Sequence, residues 1–161
     1  MFTTLSSVFW DALVFASEAH KHQMRKSGGS FFCHPIRVAE KLASEGCSEA
    51  VVVAGLLHDT VEDTHVTEEQ LRSKFGDQVT NLVMELSDNK LLDKVERKKL
   101  AIEHASKLSK DAARIKLADV EDNRSGVLGD DCPKGWSSER IAEYGAWSMR
   151  IIEECHKVLY F

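Results

Sequence analysis

At 161 residues, 43% hydrophobic and 29% charged, the chain has the size and composition of one globular domain able to bury a substantial core. A formal net charge of −5 argues against broad nucleic-acid binding, which needs a basic surface, yet leaves room for a locally basic site that takes an anion. The four cysteines (Cys33, Cys47, Cys132, Cys155) form no CxxC pair and no zinc-ribbon spacing, and read as reduced thiols of a cytoplasmic protein. The apolar opening stretch lacks a basic leader and contains Asp11, so it reads neither as a signal peptide nor as a membrane span.

The apolar spacing is helical nearly throughout, with no convincing alternating strand. Leu5, Val8, Ala12, Phe15 and Ala19 make one stripe of a first helix. A Gly/Ser loop follows at Ser27, Gly28, Gly29 and Ser30, and Pro35 suits the first turn of a second helix that runs to Glu45 and stops at Gly46. Ser48 is the expected N-cap of a third helix, although Val51 stands where Glu or Gln would complete a capping box. That helix is apolar from Val51 to Leu57 and carries His58, Asp59, Glu62 and Asp63 at its C-terminal end. Thr67 with Gln70 matches a capping box for a short fourth helix closed by Gly76. Further helices are expected over Gln78 to Leu86, Leu92 to Leu108 and Asp111 to Glu121, with the longest loop over 126–135. In the last helix, Ile141, Tyr144, Ser148, Ile151, Cys155 and Leu159 share one mostly apolar face. The expected architecture is an all-α single domain.

Chemistry concentrates in the segment GLLHDTVEDT, from Gly55 to Thr64. Residues four apart share a helix face, which sets His58 over Glu62 and Asp59 over Asp63. Buried titratable groups are costly unless paired or bound to a cation, and a divalent metal is the simplest compensation. Two further pieces can complete such a site. His34 precedes Pro35, a position pushed out of the α region, so its ring can point away from the helix body at the helix entrance. Asp119 lies in IKLADVEDN, with Asn123 on the same face and Lys116 one turn earlier. His34, His58, Asp59 and Asp119 would offer nitrogen and oxygen ligands, a set that suits manganese or iron better than structural zinc.

A His–Pro, then HD in an apolar helix, then a distant Asp resembles the HD metal-dependent phosphohydrolase superfamily. The chain resembles most the hydrolase domain of the RelA/SpoT homologues, in particular the stand-alone small alarmone hydrolases of the metazoan SpoT-homologue type. The similarity covers AHKHQMRKSGGSFFCHPIRVA, HDTVEDT, KVERKKLAIE, IKLAD with Asn123, and GWSSERIAEY. The resemblance implies an all-α fold and one manganese ion held by His34, His58, Asp59 and Asp119. It implies that Glu62 and Asp63 serve hydrolysis, and that Arg25, Lys26, Lys94, Asn123, Arg140 and Tyr144 contact substrate. The implied reaction removes the 3′-pyrophosphate of guanosine tetra- and pentaphosphate to give GDP or GTP. No membrane partner is implied, and a homodimer is compatible with such a chain. Physically, a bound metal lowers the pKa of its water and neutralises phosphate oxygens, a carboxylate can carry the proton, and Arg25, Lys26 and Lys94 offset phosphate charge.

Other readings stand beside this one. An HD pair can be a satisfied core network, Glu62 and Asp63 a solvated helix end, and Arg140 and Tyr144 a surface charge and a core aromatic. Phe31 stands where many relatives carry Tyr, and Val120, Glu121 and Asp122 replace the usual basic, apolar and aromatic or His residues. Asp122 would then add negative charge beside the phosphates unless it faces away. These departures leave room for another nucleotide substrate, such as the 2′-phosphate of NADPH or a nucleotidase substrate, or for a non-catalytic nucleotide-binding module.

Overall fold

The computed structural model describes residues 6–88, 92–129 and 131–161. Among these the chain forms helices α1 (Ser7–Ala19), α2 (Cys33–Ser44), α3 (Glu49–Leu57), α4 (Thr60–Asp63), α5 (Glu68–Leu86), α6 (Lys94–Ala105), α7 (Lys110–Leu128) and α8 (Ser138–Tyr160), with no strand beyond an isolated Met24–Ser30 bridge. None of the described helices is long and apolar enough to cross a membrane. Leu5, the first residue of the expected α1 stripe, lies outside the described residues.

α3 is the hub. Every residue from Val51 to Leu57 is buried, because α1, α2, α5 and α7 surround the helix. A continuous apolar run rather than an amphipathic stripe is what such a position demands. Leu56 and Leu57 are fully buried, each contributing roughly 1.5–3 kcal/mol, which offsets the cost of holding His58 and Asp59 beside them. Gly55 lets α2 approach: a Cβ there would collide with Leu42 Cδ1 and meet Val38 Cγ1 at 3.5 Å. α7 packs against α2, α3, α5 and α8, so two of its faces are buried.

Local chemistry sets the helix ends. Thr67 and Gln70 form the expected capping box, and Asp93, Ser109 and Ser137 cap α6, α7 and α8 through their side chains. Ser48 caps α3 without a side-chain hydrogen bond. The helix that Thr67 caps is α5, and it breaks at Gly76, where φ 79° and ψ 177° kink the chain before it resumes towards Leu86. α6 is shorter than the periodicity suggests, whereas α7 runs on to Leu128. The apolar periodicity fades after Val120, but Gly126 keeps that part of α7 slim where Asp131 and Arg25 come close.

The helix carrying the HD pair is not continuous. α3 closes at Leu57, His58 and Asp59 keep right-handed dihedrals outside it, and α4 is a single turn. Two side chains account for the break. His58 Nδ1 donates to Gly55 O at 2.7 Å and Thr60 Oγ1 to Leu57 O at 2.7 Å, taking up carbonyls that the next helical turn would use. His34 likewise departs from expectation by lying within the first turn of α2, where Pro35 needs no backbone donor. The side chain still points inward, since His34 is 1% exposed.

Candidate functional site

α2, the α3–α4 turn and α7 bring four side chains to one point. His34, His58 and Asp59 each place a ligand atom within 4.8 Å of the others. Asp119 Oδ1 joins them, 3.1 Å from His34 Nε2 and 3.6 Å from His58 Nε2. Asp59 Oδ2 lies 3.2 Å from His58 Nε2 and 3.8 Å from His34 Nε2. Ligand atoms that share one ion about 2.1 Å away stand roughly 3–3.5 Å apart, close to these separations.

Hydrogen bonding shows what the cluster fits. The Nδ1 of His58 is committed to Gly55 O and that of His34 to Asp122 Oδ2 at 2.6 Å. A neutral ring so bonded turns the lone pair of Nε2 inward, towards carboxylate oxygens that are also acceptors. His58 Nε2 is buried and has no hydrogen-bond partner. Four acceptors facing one another require protons or a cation, and the mixed N/O set suits a divalent metal. In the absence of a cation, protons fill the role. Burial pulls the His58 pKa down, but the charges of Asp59 and Asp119 outweigh it and hold the ring well above its ordinary value. His34 is raised as well, burial being overcome by its bonds to Asp119 and Asp122. Burial works against ionisation of Asp119, yet Lys116 and the two imidazoles hold it well below the usual carboxylate range. Lys116 Nζ sits 3.4 Å from Asp119 Oδ2, and the surrounding carboxylates outweigh burial to keep it charged.

The residues outside this cluster divide. Asp63 accepts from Gln23 Nε2 at 3.3 Å, and Gln23 in turn accepts from His20 Nδ1 at 2.7 Å. Glu62 Oε2 accepts from the Asp88 backbone N–H at 3.1 Å. A 410 Å³ cavity adjoins this side, lined by Arg25, Lys26, Phe31, Asp63, Asn123, Trp136 and Tyr144 among others. Arg25 Nη2 donates to Asn123 Oδ1 at 3.0 Å, and Asn123 Nδ2 to Asp119 Oδ1 at 2.6 Å, which links cavity to cluster. Burial pushes the Tyr144 hydroxyl up to about 12, keeping it neutral. Arg140 is exposed and stacks 4.2 Å over Trp136, reaching the cavity wall only through that ring. Lys94 is exposed at the start of α6 and is not among the described residues lining the cavity.

Asp122 is not among the described residues lining the 410 Å³ cavity but faces α2, accepting from Arg37 Nε and Nη2 at 2.6 and 3.0 Å as well as from His34. Glu121 pairs with Lys41 along the same seam. Sequence reading gave no role to Gln23, Trp136 or Arg37. All three lie in quoted motif segments, and the further signal for Arg37 is a basic residue three after His34.

The family model described as HD domain matches residues 12–128. The chain belongs to the HD-domain family. The chain is 41% identical over 152 residues to guanosine-3′,5′-bis(diphosphate) 3′-pyrophosphohydrolase MESH1 of Xenopus tropicalis, covering 92% of this chain and 84% of that one. Homo sapiens MESH1, of the same description, is 42% identical over 147 residues, or 89% and 82% of the two chains. A solved structure described as a metazoan ortholog of SpoT that hydrolyzes ppGpp and plays a role in starvation responses superimposes with a TM-score of 0.90 at 38% identity, over 97% of this chain and 89% of that chain. An HD-domain hydrolase implies a divalent metal, and the His/Asp cluster is the group among the described residues able to hold one.

Proposed function

We propose that this HD-domain chain is a manganese-dependent hydrolase that removes the 3′-pyrophosphate of guanosine tetra- and pentaphosphate, releasing GDP or GTP and pyrophosphate. One observation carries the reading: the ligand atoms of His34, His58, Asp59 and Asp119 converge beside a cavity that Asp63, Arg25 and Lys26 share. The MESH1 relatives named for this activity are about 40% identical over nearly the whole chain, which supports the substrate. The thiolate-free N/O donor set supports manganese.

The four ligands would hold one ion, which supplies charge neutralisation at the phosphate and a water acidified enough to attack at neutral pH. The remaining work belongs to the chain. Arg25 and Lys26 draw the pyrophosphate into the cavity, and Asn123 spans Arg25 and Asp119, so phosphate and ligand are held in register. Glu62 and Asp63 follow the HD pair by one short turn and handle the two protons of hydrolysis. One leaves the attacking water, and one reaches the ribose 3′ oxygen as its bond to phosphorus breaks. Gln23, anchored by His20, orients Asp63. Trp136, backed by Arg140, and Tyr144 wall the cavity where a base would lie.

The test is a product assay with purified protein and manganese against guanosine 3′-pyrophosphates, NADPH and ordinary nucleoside di- and triphosphates. Release of GDP or GTP with pyrophosphate is expected from the first class. A protein that ignores 3′-pyrophosphates yet cleaves the 2′-phosphate of NADPH would keep the metal chemistry and lose this substrate.

A further inference from the structure

We infer that Asp122, pinned by Arg37, is the positioning residue for His34, and that this pair sets the affinity of the cluster for its metal. The inference rests on the proposed metal reading and goes beyond it, because neither residue touches the ion. His58 and His34 present the same face inward but are held from behind differently. His58 leans on a neutral backbone carbonyl, Gly55 O. His34 leans on a carboxylate at 2.6 Å, a charge-assisted bond that fixes the Nδ1–H tautomer more firmly and makes Nε2 a better donor to a cation.

The carboxylate is itself fixed. Arg37 grips both Asp122 oxygens, and Asp122 is only 15% exposed in its side chain. His34 and Arg37 lie three residues apart on α2, as do Asp119 and Asp122 on α7. Spacing of three returns to the same helix face, so one face of each helix carries one metal ligand and one member of the clamp. His34 contacts both α7 carboxylates, one through each ring nitrogen. The clamp therefore does two things at once: it sets the ring's tautomer, and it locks the two ligand-bearing helices at the register that brings Asp119 to the cluster.

Manganese binding, followed by the electron paramagnetic resonance signal of the free ion, tests the assignment without any turnover. Asp122→Asn should weaken manganese binding by on the order of 10- to 100-fold, the usual effect of removing a histidine's outer carboxylate. Arg37→Ala leaves Asp122 on the ring but frees its other end, and should weaken binding less, in the same direction. Glu121→Gln provides the control. It breaks the neighbouring Lys41 pair on the same α2–α7 seam, touches no ligand, and should alter the melting temperature without altering manganese affinity. Equal affinity in wild type and Asp122→Asn would overturn the clamp while leaving the metal site standing. Equal weakening by Glu121→Gln would also overturn it, since the seam would then matter only as packing. Should Asp122→Asn fail to fold, Arg37→Ala and Glu121→Gln decide by the same comparison. A wild-type protein that takes up no manganese would remove the metal reading itself, and the clamp with it.

Discussion

Glu62 and Asp63 occupy a single helical turn, tied to α3 by the two-residue HD link and by the Thr60 hydroxyl on Leu57 O, so the chemistry depends on a few side chains rather than on a long rigid element. Glu62→Gln and Asp63→Asn keep the shape and remove the charge that moves protons. Each should lower kcat by on the order of 10²-fold or more, with manganese uptake retained in the same resonance measurement. Near-normal turnover in both variants would leave the pair without a catalytic role. Arg25 acts on a different quantity. Its guanidinium meets phosphate in the proposed reading, so Arg25→Ala should chiefly raise KM, by the roughly 1.5–3 kcal/mol that a charged hydrogen bond contributes. A drop in kcat at unchanged KM would place Arg25 in the chemical step instead. At this scale the sequence was informative where chemistry restricts residue type. That His34, His58, Asp59 and Asp119 come together was readable because few other residue types are placed in a core where they could answer one another's charge. Lys94 and Arg140 were less so, because a charged residue on an exposed helix face looks the same whether or not a ligand lies within reach. Which way Asp122 faces was not readable, since nothing local to IKLADVEDN reveals Arg37 on another helix.

Among the elements, α3 shows how a run of apolar residues and one glycine position the reactive groups that follow. Gly55 serves α2 by lacking a Cβ and serves His58 through its carbonyl. Gly55→Ala forces the Leu42 side chain aside and presses on α2, which carries His34. A loss of roughly 1–3 kcal/mol in unfolding free energy is expected by denaturant titration, the range for overpacking a tight core. Weaker manganese binding should accompany it. Unchanged stability would mean that Leu42 repacks freely. Most helix positions were legible from periodicity and caps, as Thr67 with Gln70 illustrates. The ends that escaped were those fixed by distant partners. α7 continues through Gly126 because Arg25 and Asp131 pack there, and α3 stops early because His58 and Thr60 spend their side chains on its own carbonyls.

For the molecule as a whole, the cluster couples folding to protons and to metal. His34 and His58 are raised above the ordinary value of 6.5. The stability they contribute to the metal-free protein is complete below the unfolded-state pKa and is lost as pH rises through the raised folded values. Asp59 and Asp119 are lowered below 3.8, so their contribution is present above that value and is lost as pH falls through the depressed ones. Metal-free protein should therefore be most stable between about pH 4 and 6.5 as far as these groups decide it. A bound cation displaces the imidazole protons, so the rise in Tm on adding manganese should grow from pH 5.5 to pH 8 by calorimetry. An equal rise at both values would remove the two histidines from the binding set. The α2–α7 seam also constrains how such a chain can change over time. Arg37 and Lys41 are matched to Asp122 and Glu121, so altering one helix alone strands charges on the other. Removing only the two α2 cations would leave two α7 carboxylates facing no cation, whereas changing both helices together preserves the pairing. Substitutions at these four positions are thus conditional on one another, and the order in which they are made decides which intermediates remain folded.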